Sequence, residues 1–346
     1  MGVEDRGGSG SSRGLGLDAY VYVVLMVALG STTAAAAKIA TREWPLALLP
    51  FVRYGISGLC LLPFVRDRGA FGRMFRQDWP LVLLGAALCV PVNQAFFLSA
   101  SRLGPTSHVG IFYATAPLIV LVVAWLTRME RPDLGRLWGV LASVGGIAVI
   151  GLGNLWAVGG TPAAEVRSVV TADLLLIGAV VSWGVYLAIS KPLVERHGAI
   201  PALAGTFLLG SLLCAPMAAW TFPSWPPFSH YSSTAWFTLV FLGVFITPVS
   251  QACQNLAMRL MDASQVANFS NASPLLTVVW GIWLFSEPLT LYLVLGGLLT
   301  MGGIVWTGWP RGVDATDDEA IGQAIPEPSF WRGGQVDEVP LGKVLS

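Results

Sequence analysis

The sequence predicts an all-α integral membrane fold with ten transmembrane helices arranged as two inverted five-helix repeats. Three observations lead there. The chain has 346 residues, 54% hydrophobic and 12% charged, where a soluble domain carries about 25% charge. Its apolar residues gather into ten runs of near-spanning length. Residues 91–151 also repeat along the chain without a gap.

Residues 1–17, rich in Gly, Ser and charge, read as a flexible tail. The first run, 18–37, is taken as a span, although Arg13 before it and the Ala34–Ala37 stretch resemble a signal peptide with its cleavage site. The following runs cover about 46–65, 79–100, 105–127, 134–153, 172–190, 200–221, 234–256, 263–285 and 290–309. Unpaired backbone is costly in hydrocarbon, so each reads as a helix; barrel strands would show short alternating segments. With the N-terminus inside, fifteen Lys and Arg fall on the inner segments and three (Arg42, Arg102, Arg167) on outer loops. The positive-inside rule thus predicts cytoplasmic termini for a multi-pass protein of the plasma (inner) membrane. Residues 311–346 read as a disordered acidic tail; from 312 onward they hold seven acidic and two basic residues with three prolines.

Sliding 91–151 by 157 positions onto 248–308 matches 21 of 61 residues, where shared composition would match roughly five. Pro91/Pro248, Gln94/Gln251, Ser107/Ser264, Pro117/Pro274, Glu130/Glu287 and Gly146/Gly303 are among the pairs. Ala37-Lys38 and Ser190-Lys191 stand at equivalent ends of spans one and six, at an offset of 153. The repeats are accordingly placed at 18–153 and 172–310, joined by a linker over 154–171. Five spans per copy is odd, so the second copy enters from the opposite side; inverted repeats of this kind can exchange inward-open and outward-open states.

The matched prolines Pro91, Pro117, Pro248 and Pro274 predict bends, since each removes a backbone donor. Polar side chains wasted against lipid collect in the same spans: Asn93, Gln94, Ser101, His108 and Tyr113 in the first copy, and Gln251, Gln254, Asn255, Asn268, Ser270 and Asn271 in the second. Gln251, Gln254 and Asn255 share one helical face. Interhelical hydrogen bonding accounts for one or two such residues; so many predict a polar central cavity. Arg53 is the charge well inside a span, and it needs a partner or water: a substrate carboxylate, or helix carbonyls and snorkelling. Lys38, at a span end, is expected to snorkel. Trp183 and Tyr186 with Phe97 and Tyr113 form a possible aromatic wall, ordinary packing being the alternative. The substrate-binding set is therefore Arg53, Asn93, Gln94, His108, Tyr113, Trp183, Tyr186, Gln251, Gln254, Asn255 and Asn271.

No Asp or Glu lies at the middle of a span, so proton coupling through a carboxylate chain is disfavoured. The four cysteines lie singly in apolar runs and the three histidines are far apart, which predicts no metal and no cofactor. The absence of a basic patch excludes a nucleic-acid partner, and no GxxxxGK[ST] loop offers ATP hydrolysis. The small residues Gly139-x3-Ser143 and Gly145-Gly146, repeated as Gly296-x3-Thr300 and Gly302-Gly303, read as close helix contacts in a scaffold or a homodimer.

In Ala36-Ala37-Lys38, Arg53, Ala114 to Pro117, Glu130 and Gly139, and again in Pro274, Glu287-Pro288 and Gly296, the chain resembles the EamA-type members of the drug/metabolite transporter superfamily. That resemblance, over about 18–310, implies a cavity lined by spans one, three, four, six, eight and nine and the movement of amino acids or other metabolites, often outward. Span seven has no counterpart of Arg53. The reading is a non-enzymatic transporter of a small polar metabolite, working in the lipid bilayer by alternating access. The alternative is a non-transporting sensor or scaffold; a membrane enzyme lacks any visible catalytic constellation.

Overall fold

The structure is a computed structural model of the chain, and it describes residues 12–126, 134–156, 163–260 and 272–308. Every element in these segments is helical. In order they are α1 (Ser12–Ser31), α2 (Thr33–Ala40), α3 (Leu48–Leu61), α4 (Arg68–Gln77), α5 (Trp79–Ala87), α6 (Asn93–Leu103), α7 (Thr106–Ala114) and α8 (Ala116–Leu126). Then follow α9 (Leu134–Trp156), α10 (Ala163–His197), α11 (Ala199–Thr221), α12 (Ser233–Val240), α13 (Thr247–Leu260), α14 (Ala272–Phe285) and α15 (Leu291–Gly308).

Several of these are halves of one rod. Among the described residues, seven continuous helical segments are long and apolar enough to cross a membrane: Tyr20–Ala40, Trp79–Leu103, Thr106–Val123, Gly135–Gly153, Ala164–His197, Ala199–Ser224 and Ser233–Gln254. Three shorter apolar helices, Leu48–Phe64, Ala272–Phe285 and Leu291–Thr307, accompany them. Their outer faces are apolar to a degree water would not tolerate: Trp138, Trp220 and Trp283 are 69%, 84% and 71% exposed. These faces are suited to lipid.

The breaks in the rods have local causes. Pro91 sits in a π-helical turn over 88–92 that joins α5 to α6, and a second such turn, 241–246, leads into Thr247-Pro248 at the start of α13. Each proline lacks the N–H a regular ladder needs, and the wider turn absorbs the mismatch. Pro117 follows a break at Thr115, whose N–H and hydroxyl both donate to the Phe112 carbonyl, at 3.0 and 2.7 Å. Helix α6 ends where Gly104 and Pro105 turn extended. Gly198, at φ +86°, joins α10 to α11 in a conformation that strains any residue with a Cβ.

Three elements differ from the sequence expectation. Helix α1 begins at Ser12, inside the stretch read as a flexible tail. Residues 68–77, read as part of an inner loop, form α4, capped by the Asp67 carboxylate accepting from the Ala70 N–H and burying Ala70 and Met74. Helix α10 begins at Ala163, inside the stretch read as a linker.

The principal packing partners are α9 with α15, α3 with α11, α6 with α10, α1 with α13, and α7 with α14. The α9–α15 contact is the closest. Thr300 and Ser143 exchange hydrogen bonds from each hydroxyl to the other's carbonyl, at 3.0 and 3.3 Å. Gly139, Gly146, Gly296 and Gly303 meet the facing backbone where no side chain would fit. The small-residue pattern is thus used inside the chain.

Candidate functional site

Between the helices lies a cavity of about 290 Å³, close to the lower bound of roughly 300 Å³ for small-molecule sites. It is lined from α1, α2, α3, α6, α7, α8, α10, α11, α13 and α14, but not from α9 or α15. Its wall is mostly apolar, with Phe97, Tyr113, Trp183 and Tyr54 among its aromatic rings. Phe97 and Tyr113 meet edge to face at 5.7 Å.

Five of the polar groups form one chain along the cavity. Arg53 on α3, 4% exposed, donates through Nε to Thr247 Oγ1 on α13 at 2.9 Å and through Nη1 to Gln94 Oε1 on α6 at 3.3 Å. Gln94 Nε2 donates to Asn93 Oδ1 at 2.9 Å; Asn93 Nδ2 donates to Tyr113 Oη on α7 at 3.0 Å and to the Ala179 carbonyl on α10 at 2.7 Å. The Arg53 guanidinium also lies 5.2 Å over the Tyr54 ring. Among the described residues no carboxylate lines the cavity or pairs with Arg53. A guanidinium held by neutral acceptors keeps its positive charge unneutralised, and an anionic group entering the cavity would supply the missing counter-charge.

Of the expected residues, Arg53, Asn93, Gln94, Tyr113, Trp183, Gln251 and Gln254 lie together around this cavity. Tyr186 does not line it: 3% exposed, it packs with Cys89, Val90 and Phe207, its ring 5.2 Å from Trp183. His108 is likewise elsewhere. Its Nδ1 lies 2.7 Å from Asp173 Oδ1, both side chains buried, so it serves a helix contact between α7 and α10. The side chain of Asn255, and Asn268, Ser270 and Asn271 entirely, lie outside the described residues. Thr33, Thr247, Ser250, Ser273 and Thr277 also line the cavity. Sequence reasoning passed over them because Ser and Thr in apolar helices usually bond their own backbone, as Thr277 does to the Ser273 carbonyl.

Lys38, expected to snorkel, finds partners within the protein. Its ammonium is 3.0 Å from both Glu287 Oε1 and the Gly104 carbonyl, and the same carboxylate accepts from the Thr106 N–H at 2.6 Å and the Ser107 N–H at 2.9 Å. Burial pushes the Glu287 carboxyl upward, but the N–H groups of Ser107 and Thr106 and the Lys38 charge outweigh it and hold it below its ordinary value.

Comparison with known proteins accords with this geometry. The EamA-like transporter family matches residues 18–152 and 170–309. The transporter YvbV of Bacillus subtilis is 28% identical over 77% of this chain and 84% of its own length. A probable terminal-alkyne amino-acid exporter of Streptantibioticus cattleyicolor is 26% identical over 73% and 84%. The aromatic amino acid exporter YddG of Ancylobacter novellus is 24% identical over 72% and 82%. A crystal structure at 22% identity superposes with a TM-score of 0.57 over 83% of this chain and 95% of the other, a likeness of fold. With seven helices able to cross a membrane and a family match over most of its length, this chain is an integral membrane protein that belongs to the EamA-like transporter family.

Proposed function

We propose that the protein exports a small polar metabolite bearing a carboxylate, an amino acid or a related compound, by alternating access through the central cavity. The observation that carries this reading is Arg53, buried in the cavity wall among neutral partners. A carboxylate would meet the guanidinium while the amide chain Gln94–Asn93–Tyr113 offers further donors and acceptors. The aromatic wall suits an apolar or aromatic remainder, and two relatives bear amino-acid exporter names.

The architecture proposed with it is ten spans in two inverted copies, both termini cytoplasmic, in the plasma membrane. Support comes from the packing. Exchanging span one for six, two for seven and so on leaves the set of pairings unchanged: α9–α15, α3–α11 and α7–α14 map onto themselves, while α6–α10 and α1–α13 change places. A pseudo-two-fold axis in the membrane plane has that consequence.

Counterflow into proteoliposomes tests the site. Arg53→Ala and Gln251→Ala should insert normally yet transport less, with Arg53→Ala raising the apparent KM roughly 10- to 100-fold, the loss of one charge-assisted hydrogen bond. Wild-type rates in both variants would remove the proposed site.

A further inference from the structure

We propose that Lys38, Glu287 and the first turn of α7 form a latch that closes the cavity toward the Lys38 face and must break for the cavity to open there. The proposal rests on the alternating-access reading, in whose orientation this face is the outer one.

The groups come from the two sides of the α7–α14 contact. Lys38 ends α2 and Glu287 follows α14, and both helices pack with α1, which in turn packs on α13. The groups they hold, the Gly104 carbonyl and the Thr106 and Ser107 N–H groups, belong to the α6–α7 joint, which packs on α10. The Glu287 carboxylate thus bridges the α7–α14 contact at its Lys38 end. It satisfies the open N–H groups of the α7 start while neutralising Lys38 on its own side, and Lys38 in turn reaches across to the Gly104 carbonyl. The site lies just beyond the cavity: Ala34 lines it, and one turn later Ala37 and Ala40 are fully buried, with Lys38 between them.

The chain is shaped to deliver this carboxylate. Ser286 takes φ +52°, a conformation uncommon outside glycine, and turns the chain back after α14. Gly281 leaves the space the carboxylate occupies, since a Cβ there would lie 3.1 Å from the Glu287 carboxyl carbon and nearer still to Oε2. Backbone strain at Ser286 and the cleared position at Gly281 both serve the placement of this one carboxylate.

Thiol labelling tests this without requiring transport. In a Cys60→Ser background, Ser250→Cys places a thiol on the cavity wall, and a membrane-impermeant maleimide is applied to either face of oriented vesicles. Glu287→Gln and Lys38→Met should each raise labelling from the Lys38 face about tenfold, the population shift that losing one charge-assisted hydrogen bond allows. Their double variant should add little, because the two groups act as one unit. Gly281→Ala, which keeps both charges but displaces the carboxylate, should do the same and serves if the charge variants fail to fold. Glu130→Gln, the same charge loss at the repeat-equivalent position, should not raise labelling from the Lys38 face. Unchanged labelling in folded Glu287→Gln and Gly281→Ala overturns the latch even where counterflow succeeds, as does an equal rise in Glu130→Gln. Raised labelling without counterflow keeps the latch and overturns the transport reading.

Discussion

Adjacent glycines on α15 should respond to the same substitution with opposite signs. Gly303 is buried against α9, and a Cβ there would lie 2.7 Å from the Ser143 backbone nitrogen and closer to the Gly139 carbonyl oxygen; at exposed Gly302 a Cβ would meet nothing within 4 Å. Backbone cannot step aside as a side chain can, so Gly303→Ala must push α9 and α15 apart and disturb the Ser143–Thr300 exchange. Overpacking costs about 1–3 kcal/mol, against a helix-propensity gain of about 0.5–1 kcal/mol. A net loss of about 1–2 kcal/mol is expected. At Gly302 only the gain remains. The buried cysteines Cys89, Cys214 and Cys253 allow thermal unfolding to be followed with a thiol-reactive dye in detergent. At about 2–4 °C per kcal/mol, Gly303→Ala should lower the midpoint by several degrees and Gly302→Ala leave it unchanged or slightly raised. Gly146→Ala, at the repeat-equivalent position of Gly303, should behave like Gly303→Ala. Equal effects at Gly302 and Gly303 would refute the close helix contact.

Two further outcomes can be checked in the same preparation. Trp44 donates from Nε1 to the Ala235 carbonyl at 2.9 Å while stacking on Tyr231 at 3.9 Å; Trp44→Phe keeps an aromatic ring but loses that hydrogen bond, the carbonyl retaining the Thr238 hydroxyl, and should cost about 1 kcal/mol, read as a lower unfolding midpoint. Because the folded-state pKa of Glu287 is lowered, its stabilising contribution is complete above the ordinary carboxylate pKa of about 4.3 and is lost as pH falls through the lowered value. The unfolding midpoint should therefore lose this contribution only below about pH 4.3, and Glu287→Gln should flatten that part of the decline.

Much of the architecture was legible because the bilayer makes it so: a long apolar run has few alternatives to a helix. The matched prolines marked both π-helical turns, and the clustered amides pointed to the cavity, since Asn93, Gln94 and Gln251 have nowhere else to be satisfied. What stayed hidden depends on helix rotation and on distant partners. Helix α10 is apolar nearly all round, so its sequence does not say that Trp183 faces the cavity while Tyr186 faces α5 and α11. His108 and Lys38 meet partners 65 and 249 residues away. Although Glu130 and Glu287 stood out as a repeat pair, only the folded chain shows the Glu287 carboxylate on the α7 start. Helix α4 escaped notice because ten residues with three arginines resemble a charged loop until Ala70 and Met74 are seen to be buried on one side.

The central claim is met most directly by counterflow in proteoliposomes preloaded in turn with amino acids, sugars, nucleosides and polyamines, against empty-liposome controls. A cavity whose charge is Arg53, with no carboxylate among its described lining residues, predicts accumulation of amino acids and no accumulation of polyamines. Accumulation of polyamines, or of no class by protein shown to be folded, would contradict it.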